Sequence, residues 1–319
     1  MKTYFEAQTA FYQTGKTRDL QFRVEMLEKL LTALDAYENR FYEAFRIDLH
    51  KSEFEVYSTE IGIVKKSIRY AIKNVRSWAK PEPHPTPLIL FKRKSYTMYE
   101  PYGTVLIIGP FNYPVQTVIE PLIGAIAAGN TAFVKPSELT PHVAEVIEAM
   151  ISEAFPDSYI RVVQGGVELS QALLDLPFDL IFFTGSIPVG KIILEKAARH
   201  LTPVVLELGG KSPAILFGDA NLRVSVERLM WGKLLNAGQT CIAPDYVLVH
   251  HSIYDETVAL MRETIDQFYG NEPKHNADYT HIVNERHAAR LARLIDENRE
   301  AVLYGGEYEG CYVAPTLFK

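Results

Sequence analysis

A cysteine in a polar turn and a glutamate beside a glycine pair are the residues of this chain best suited to covalent chemistry. Cys241 closes the stretch Asn236-Ala-Gly-Gln-Thr-Cys241 and lies 34 positions after Glu207, which sits in Leu206-Glu-Leu-Gly-Gly-Lys211. A thiolate attacks carbonyl carbon, and a neighbouring carboxylate can deprotonate the thiol or the water that later releases the acyl group. A cysteine is by default a small core hydrophobe. Cys241 departs from that default because it follows Gly238 in a polar turn, so its sulfur is expected on a loop. Cys311, the only other cysteine, lies in the strand-like Gly310-Cys-Tyr-Val313 and keeps the core reading.

Three further stretches carry candidate groups. Asn112, in Gly109-Pro-Phe-Asn-Tyr-Pro114, falls between an apolar run and a helix start; its amide could serve an oxyanion or simply form a turn. Phe182-Phe-Thr-Gly-Ser-Ile-Pro-Val-Gly190 reads as a strand entering a glycine turn that opens a helix, where backbone N–H groups and the helix dipole can hold a phosphate. It lacks the G-x-G-x-x-G spacing, and Gly185 and Gly190 are equally compatible with a tight turn. Lys135, followed by Pro136-Ser137-Glu138, ends a strand; the cation and the carboxylate suit either ribose and phosphate contacts or a surface ion pair.

The elements that must position these groups alternate. Helical spacing of apolar residues (Phe22, Met26, Leu27, Leu30, Leu31, Leu34) predicts two or more amphipathic helices from about Asp19 to Asn74. Prolines at 81, 83, 85 and 87 make an extended connector, and Leu88 to Tyr99 has the composition of a strand pair, read as a protruding hairpin or bridging strand. Strands are then predicted at Thr104–Ile108, Thr131–Lys135, Ile160–Val163 and Asp179–Phe183. The helices between them run from Pro114 to Ala128, after a Thr140-Pro141 cap, between the last two strands, and from Pro188 to about His200. Strand, crossover helix and parallel strand in series is the pattern of a doubly wound sheet, which binds ligands at its strand ends. A second α/β block starts near Leu208. It has strands at Ala214–Phe217 and Tyr246–His250 around a helix from Leu222 to Leu235, then helices at Tyr254–Phe268 and Asn284–Asn298, then strand-like Ala301–Tyr304 and Cys311–Leu317.

Composition narrows the class. With 319 residues, 47% hydrophobic and 23% charged, the chain fits about two globular domains. A net charge of −6 and a densest basic cluster of only Lys92-Arg-Lys94, expected on a solvated strand face, argue against a nucleic-acid partner. Two cysteines make no disulfide framework, and a reactive thiol points to the cytosol. The N-terminus lacks the plan of a signal peptide, and no segment reaches the roughly 18 apolar residues of a membrane span.

Taken together, Gly109-Pro-Phe-Asn-Tyr-Pro114, Lys135-Pro-Ser-Glu138, Phe183-Thr-Gly-Ser186 with Gly190, Leu206-Glu-Leu-Gly-Gly-Lys211 and Gly238-Gln-Thr-Cys241 resemble the aldehyde dehydrogenase superfamily in order and spacing, most of all its class 3 branch. The resemblance runs from about Phe22 to the end. It implies a Rossmann-type doubly wound parallel sheet plus a second, here incomplete, α/β catalytic domain. Residues 1–80 and 100–207 would form the NAD(P)-binding domain, 81–99 the bridging or oligomerisation strands and 208–319 the catalytic domain.

By position, the resemblance makes Cys241 the nucleophile that forms a thiohemiacetal and, after hydride loss to NAD or NADP, a thioester. Asn112 and the Cys241 N–H would hold the oxyanion, and Glu207 would activate the hydrolytic water. Lys135, Ser137, Glu138, Gly185, Ser186, Gly190, Ile108, Pro110 and Leu208 would contact the dinucleotide, with no metal. The substrate implied is a small-molecule aldehyde, medium-chain aliphatic or aromatic, and the full-length family fold implies a homodimer.

Family members continue beyond Thr316 into a Glu-Ile-Phe-Gly-Pro segment, of which this chain offers only the distant echo Tyr57-Ser-Thr-Glu60-Ile-Gly62. The expectation is therefore a truncated chain. Two alternatives stand beside catalysis: a non-catalytic nucleotide- or partner-binding homologue, and an acylating enzyme that passes the thioester to coenzyme A, against which Glu207 argues.

Overall fold

The computed structural model describes residues 1–319. Its N-terminal part is helical: α1 (Lys2–Gln13), α2 (Leu20–Leu49), α3 (Glu53–Val56), a π-helical turn over Tyr57–Ile61, and α4 (Gly62–Trp78). Helix α2 starts where Asp19 accepts the Gln21 N–H at 3.0 Å, and its apolar stripe buries Leu27, Leu30, Leu34, Phe41 and Phe45. Helix α1 precedes the expected helical region. Tertiary contacts hold it, with Gln8 donating to the Ala132 and Asp157 carbonyls at 3.0 Å each and Phe5 edge-on to Phe178.

The hairpin differs from expectation in where its strands fall. β1 (Glu82–His84) lies inside the proline-rich stretch and pairs antiparallel with β2 (Ser95–Thr97), while Leu88–Leu90 forms a short 3-10 turn. Extended proline backbone suits a two-stranded ribbon, and Pro83 faces Tyr96 between its neighbours' pairs, where a missing N–H costs little. Lys92, Arg93 and Lys94 accordingly occupy the turn region of the hairpin rather than a strand face, with Lys92 at φ 68°.

The central sheet has five strands in the order β5-β4-β3-β6-β7, all parallel. In chain order they are β3 (Thr104–Ile108), α5 (Gln116–Ala128), β4 (Thr131–Lys135), α6 (Pro141–Ala154), β5 (Ile160–Val162), α7 (Val167–Leu174), β6 (Leu180–Gly185), α8 (Ile187–Ala198) and β7 (Val204–Leu208). Alternation along each strand divides the core into two layers. Val105, Ile107, Ala132 and Val134 pack with α2, α4, α5 and α6, whereas Leu106, Ile108, Phe133, Ile181 and Phe183 pack with α7 and α8. The strand order turns back at β3, so the β3/β6 boundary is the switch point of the sheet.

The start of α5 and the capping bond of α6 depart from the sequence reading. Helix α5 begins at Gln116, because Pro114 and Val115 belong to the turn that carries Asn112. At α6 the Thr140 hydroxyl makes no capping bond; instead Asp48, from α2, accepts the Val143 N–H at 2.9 Å and pairs with His142 Nδ1 at 2.7 Å.

The second block holds β8 (Ser212–Leu216), α9 (Leu222–Leu234), β9 (Pro244–Val249), α10 (Tyr254–Tyr269), α11 (Glu285–Glu297), β10 (Val302–Tyr304), β11 (Tyr308–Glu309), β12 (Tyr312–Val313) and β13 (Leu317–Phe318). β8 and β9 are parallel and pack Leu216 against Val226, Met230 and Ile265 of the helices. Their other face leaves Ile215, Tyr246 and Leu248 exposed. The expected strand Cys311–Leu317 is split, β12 pairing with β11 and β13 with β10, and Pro315 lies at the break. No helix is long and apolar enough to cross a membrane.

Candidate active site

Cys241 lies beyond α9, after a sharp turn in which Asn236, Ala237 and Gly238 all adopt left-handed conformations, at φ 56°, 51° and 75°. Two successive non-glycine residues in that region cost on the order of 1–2 kcal/mol each and persist only where surrounding contacts fix them. Those contacts are present. The Asn236 N–H donates to Glu55 at 2.6 Å, and its side-chain amide donates to the Asn112 carbonyl at 2.8 Å. Gln239 donates to the Asn236 and His281 carbonyls at 3.1 and 3.0 Å and accepts the Val283 N–H at 3.0 Å.

The Asn112 loop meets this turn directly. Asn112 Nδ2 donates to the Gln239 carbonyl at 2.8 Å, and Tyr113 Oη pairs with Thr240 Oγ1 at 2.7 Å. Asn112 is thus more than a local turn former, since its amide spans two distant loops. The Cys241 carbonyl in turn lies 3.1 Å from where a Cβ on Gly210 would stand, so the cysteine loop touches the glycine pair that follows Glu207. The Cys241 side of the loop is exposed rather than packed in the core. Glu207 stands on β7 opposite Thr184 of β6 and is exposed, while its neighbours Leu206 and Leu208 are half-buried beside Gly190 of α8. Cys311 is half-buried, and burial pushes its thiol up, as a packing role requires.

The dinucleotide candidates gather at the carboxyl ends of the parallel strands. Ile108, Lys135, Gly185 and Leu208 are the last residues of β3, β4, β6 and β7, and Pro110, Ser137, Glu138 and Ser186 follow directly. Lys135 is 2% exposed, with its ammonium 2.7 Å from Glu138 and 3.2 Å from the Pro136 carbonyl, so a surface ion pair does not describe it. Burial raises the Glu138 carboxyl, and the Lys135 hydrogen bond, the residue's own backbone N–H and the Lys135 charge together outweigh that and leave it lowered. Ser137 accepts the Leu139 N–H at 3.2 Å and so shapes the turn.

Two helices start at this edge, and they differ. At α5, Glu60 accepts the Val115 and Gln116 N–H groups at 3.1 and 2.7 Å, so the protein's own carboxylate fills the usual anion position. At α8, Ser186 makes no side-chain cap, and Ile187 and Val189 are exposed beside the open first turn. The start of α5 is thus filled by a carboxylate of the protein itself, whereas the start of α8 is open.

Residues outside the sequence reading complete the site: Lys51, Glu55, Glu60, Asn236, Gln239 and Tyr113. Asn236 and Gln239 stood inside the cysteine motif with no role attached. Glu60 stood in the Tyr57–Gly62 echo with no role here attached, and nothing in the charge-rich sequence around Lys51 and Glu55 singles those two out.

The chain is similar to known proteins along nearly its whole length. A family model described as the aldehyde dehydrogenase family matches residues 2–319. The 4,4'-diaponeurosporen-aldehyde dehydrogenase of Staphylococcus aureus is 51% identical over 310 residues, covering 97% of this chain and 68% of that protein. The dimeric NADP-preferring aldehyde dehydrogenase of Mus musculus is 41% identical over 308 residues, covering 96% and 68%. The solved substrate-bound state of Staphylococcus aureus AldH superposes with a TM-score of 0.97 at 50% identity, over 99% of this chain and 70% of that one. The chain thus spans about two thirds of the length of the relatives it matches. On its sequence, its fold and these matches, the chain belongs to the aldehyde dehydrogenase family.

Proposed function

We propose that this chain oxidises an aldehyde to the carboxylic acid with hydride transfer to NAD or NADP. The observation that carries the reading is the junction of three loops: those of Asn112, Cys241 and the Gly209-Gly210 pair beyond Glu207 meet at the carboxyl edge of the parallel sheet. The relative from mouse is named NADP-preferring, and Lys135 with the open start of α8 supports a dinucleotide here. Bound at that edge, NAD or NADP supplies the hydride acceptor.

The chain's own groups do the rest. The Cys241 thiolate adds to the aldehyde carbon, giving a thiohemiacetal whose oxyanion takes the second amide N–H of Asn112 and the backbone N–H of Cys241; fixed donors of this kind commonly lower a barrier by about 3–4 kcal/mol. Loss of hydride from that carbon leaves a thioester on Cys241. Glu207 then takes a proton from water, the hydroxide attacks the thioester carbonyl, and the acid departs as the thiolate is restored. Residues 1–80 and 100–207 serve as the dinucleotide domain and 208–319 as the catalytic domain in this reading, in the cytoplasm. The relative named for 4,4'-diaponeurosporen-aldehyde favours an apolar aldehyde.

The test is whether purified protein reduces NAD or NADP when given an apolar aldehyde. Cys241→Ala should abolish the reaction, and Glu207→Gln should accumulate an acyl adduct on Cys241 visible in the intact mass. Undiminished turnover by Cys241→Ala would end this reading. Binding of nucleotide with no acyl adduct in any variant would instead select the non-catalytic alternative.

A further inference from the structure

Lys51, Glu55 and Glu60 form a charge cluster buried beneath the site. The Lys51 side chain is 0% exposed and its ammonium lies 4.0 Å from Glu55 and 3.5 Å from Glu60. It also stands 4.5 Å from the centre of the Tyr113 ring. Each carboxylate holds a different loop. Glu60 accepts the Val115 and Gln116 N–H groups, one residue beyond Asn112-Tyr113, and Glu55 accepts the Asn236 N–H at 2.6 Å and the Thr280 hydroxyl at 3.1 Å.

The backbone that presents the pair is unusual. In an α-helix, residues five apart point about 140° from one another, at roughly 3.6 residues per turn. The π-helical turn over Tyr57–Ile61 widens the winding, bringing Glu60 back toward the face of Glu55 so that both meet one lysine. Burying three charged groups is costly for stability alone, since apolar replacements of such clusters are often neutral or stabilising.

We propose that Lys51, Glu55 and Glu60 are positioning residues: by holding the Asn112 loop and the Cys241 loop from one cation, they fix the oxyanion donor against the nucleophile. This deepens the reading of Cys241 and Asn112 given above and rests on it. Burial pushes both carboxyls up, Glu60 to about 7, in keeping with two acids sharing one cation. Removing Glu55 leaves Lys51 and Glu60 as a balanced pair, so the variant Glu55→Met frees the Cys241 loop without orphaning a charge.

The experiment follows acylation of Cys241 by p-nitrophenyl acetate, read as the burst of nitrophenolate in the absence of nucleotide, alongside alkylation by iodoacetamide, which forms no oxyanion. Glu55→Met should slow the burst by about 10- to 100-fold and leave alkylation within about twofold, and Glu55→Gln, which keeps an acceptor for Asn236, should restore most of the burst. Combined with Asn112→Ala, Glu55→Met should add little, because both remove the same alignment. Should Glu55→Met not fold, Thr280→Val loosens the same carboxylate and is expected to slow the burst selectively by a smaller factor. Equal slowing of burst and alkylation, or full additivity with Asn112→Ala, would overturn the proposal. No burst in the parent protein, or one that survives Cys241→Ala, would instead count against the reading of Cys241 itself.

Discussion

Asn112 and Gln239 are joined by a hydrogen bond from the asparagine amide to the glutamine carbonyl at 2.8 Å, which ties the loop after β3 to the residue two before Cys241. Asn236 returns the tie by donating to the Asn112 carbonyl. Asn112→Ala therefore removes one strut of the loop together with the oxyanion donor proposed above, and a fall in kcat of about 10²- to 10³-fold with little change in KM is expected. Steady-state kinetics with an apolar aldehyde check this. A rise in KM with kcat intact would show that Asn112 binds substrate without favouring the transition state.

Much of this is legible in the amino-acid sequence. The parallel strands from Thr104 to Phe183 announced themselves because they are short and apolar and three of the helices that follow them begin at or near a proline, and the observed bounds differ by a residue or two; the fifth strand, β7, which carries Glu207, had no place in the sequence reading. Cys241 on an exposed loop was legible from its glycine-bearing polar turn. What did not show was whatever depends on contacts between distant segments. Helix α1 needs Gln8 to reach Ala132 and Asp157, the Lys51 cluster needs loops at 112 and 236 to arrive from elsewhere, and the α6 cap comes from a residue on another helix. The proline stretch misled because proline excludes helix firmly but excludes an edge strand only weakly.

The Asp48 cap yields a stability prediction. Its carboxylate accepts the Val143 N–H in the first turn of α6 and pairs with His142, whose imidazole it holds above the usual range. Asp48→Ala should lower stability by about 1–2 kcal/mol, whereas Thr140→Val should change little, since the Thr140 hydroxyl makes no hydrogen bond. Urea unfolding of the two variants decides between them; a larger loss for Thr140→Val would restore the local cap.

Gly109 is required by contact rather than by conformation. A Cβ there would come within 2.2 Å of Val118 Cγ2, and Val118 is fully buried on α5. Gly109→Ala should cost about 1–3 kcal/mol through this overpacking, and it displaces the turn that leads to Asn112. Adding Val118→Ala makes room for the new methyl, so the double variant should be more stable than the sum of the two single losses predicts. Strict additivity in the unfolding free energies would show that the backbone, not Val118, sets the limit.

Stability should depend on pH through Glu60 and His281 in opposite senses. Burial raises Glu60 to about 7 from an ordinary value of 4.5, so its stabilising proton is bound below that ordinary value and lost as pH rises through about 7. Burial, with the neighbouring His50, lowers His281 to about 4 from 6.5, so its contribution is present above 6.5 and lost as pH falls through about 4. Between roughly pH 5 and 6 the two slopes offset one another. Glu60→Gln removes the larger part of the first and leaves Glu55, whose carboxyl burial also raises, so thermal midpoints measured from acid to mildly alkaline pH should climb further toward neutrality in that variant than in the parent. His281→Gln should do the reverse, with midpoints that fall from acid toward neutral pH. Profiles for both variants that run parallel to the parent's would mean that these buried groups keep their ordinary affinities for protons, and the charge cluster beneath Cys241 would then have to be drawn differently.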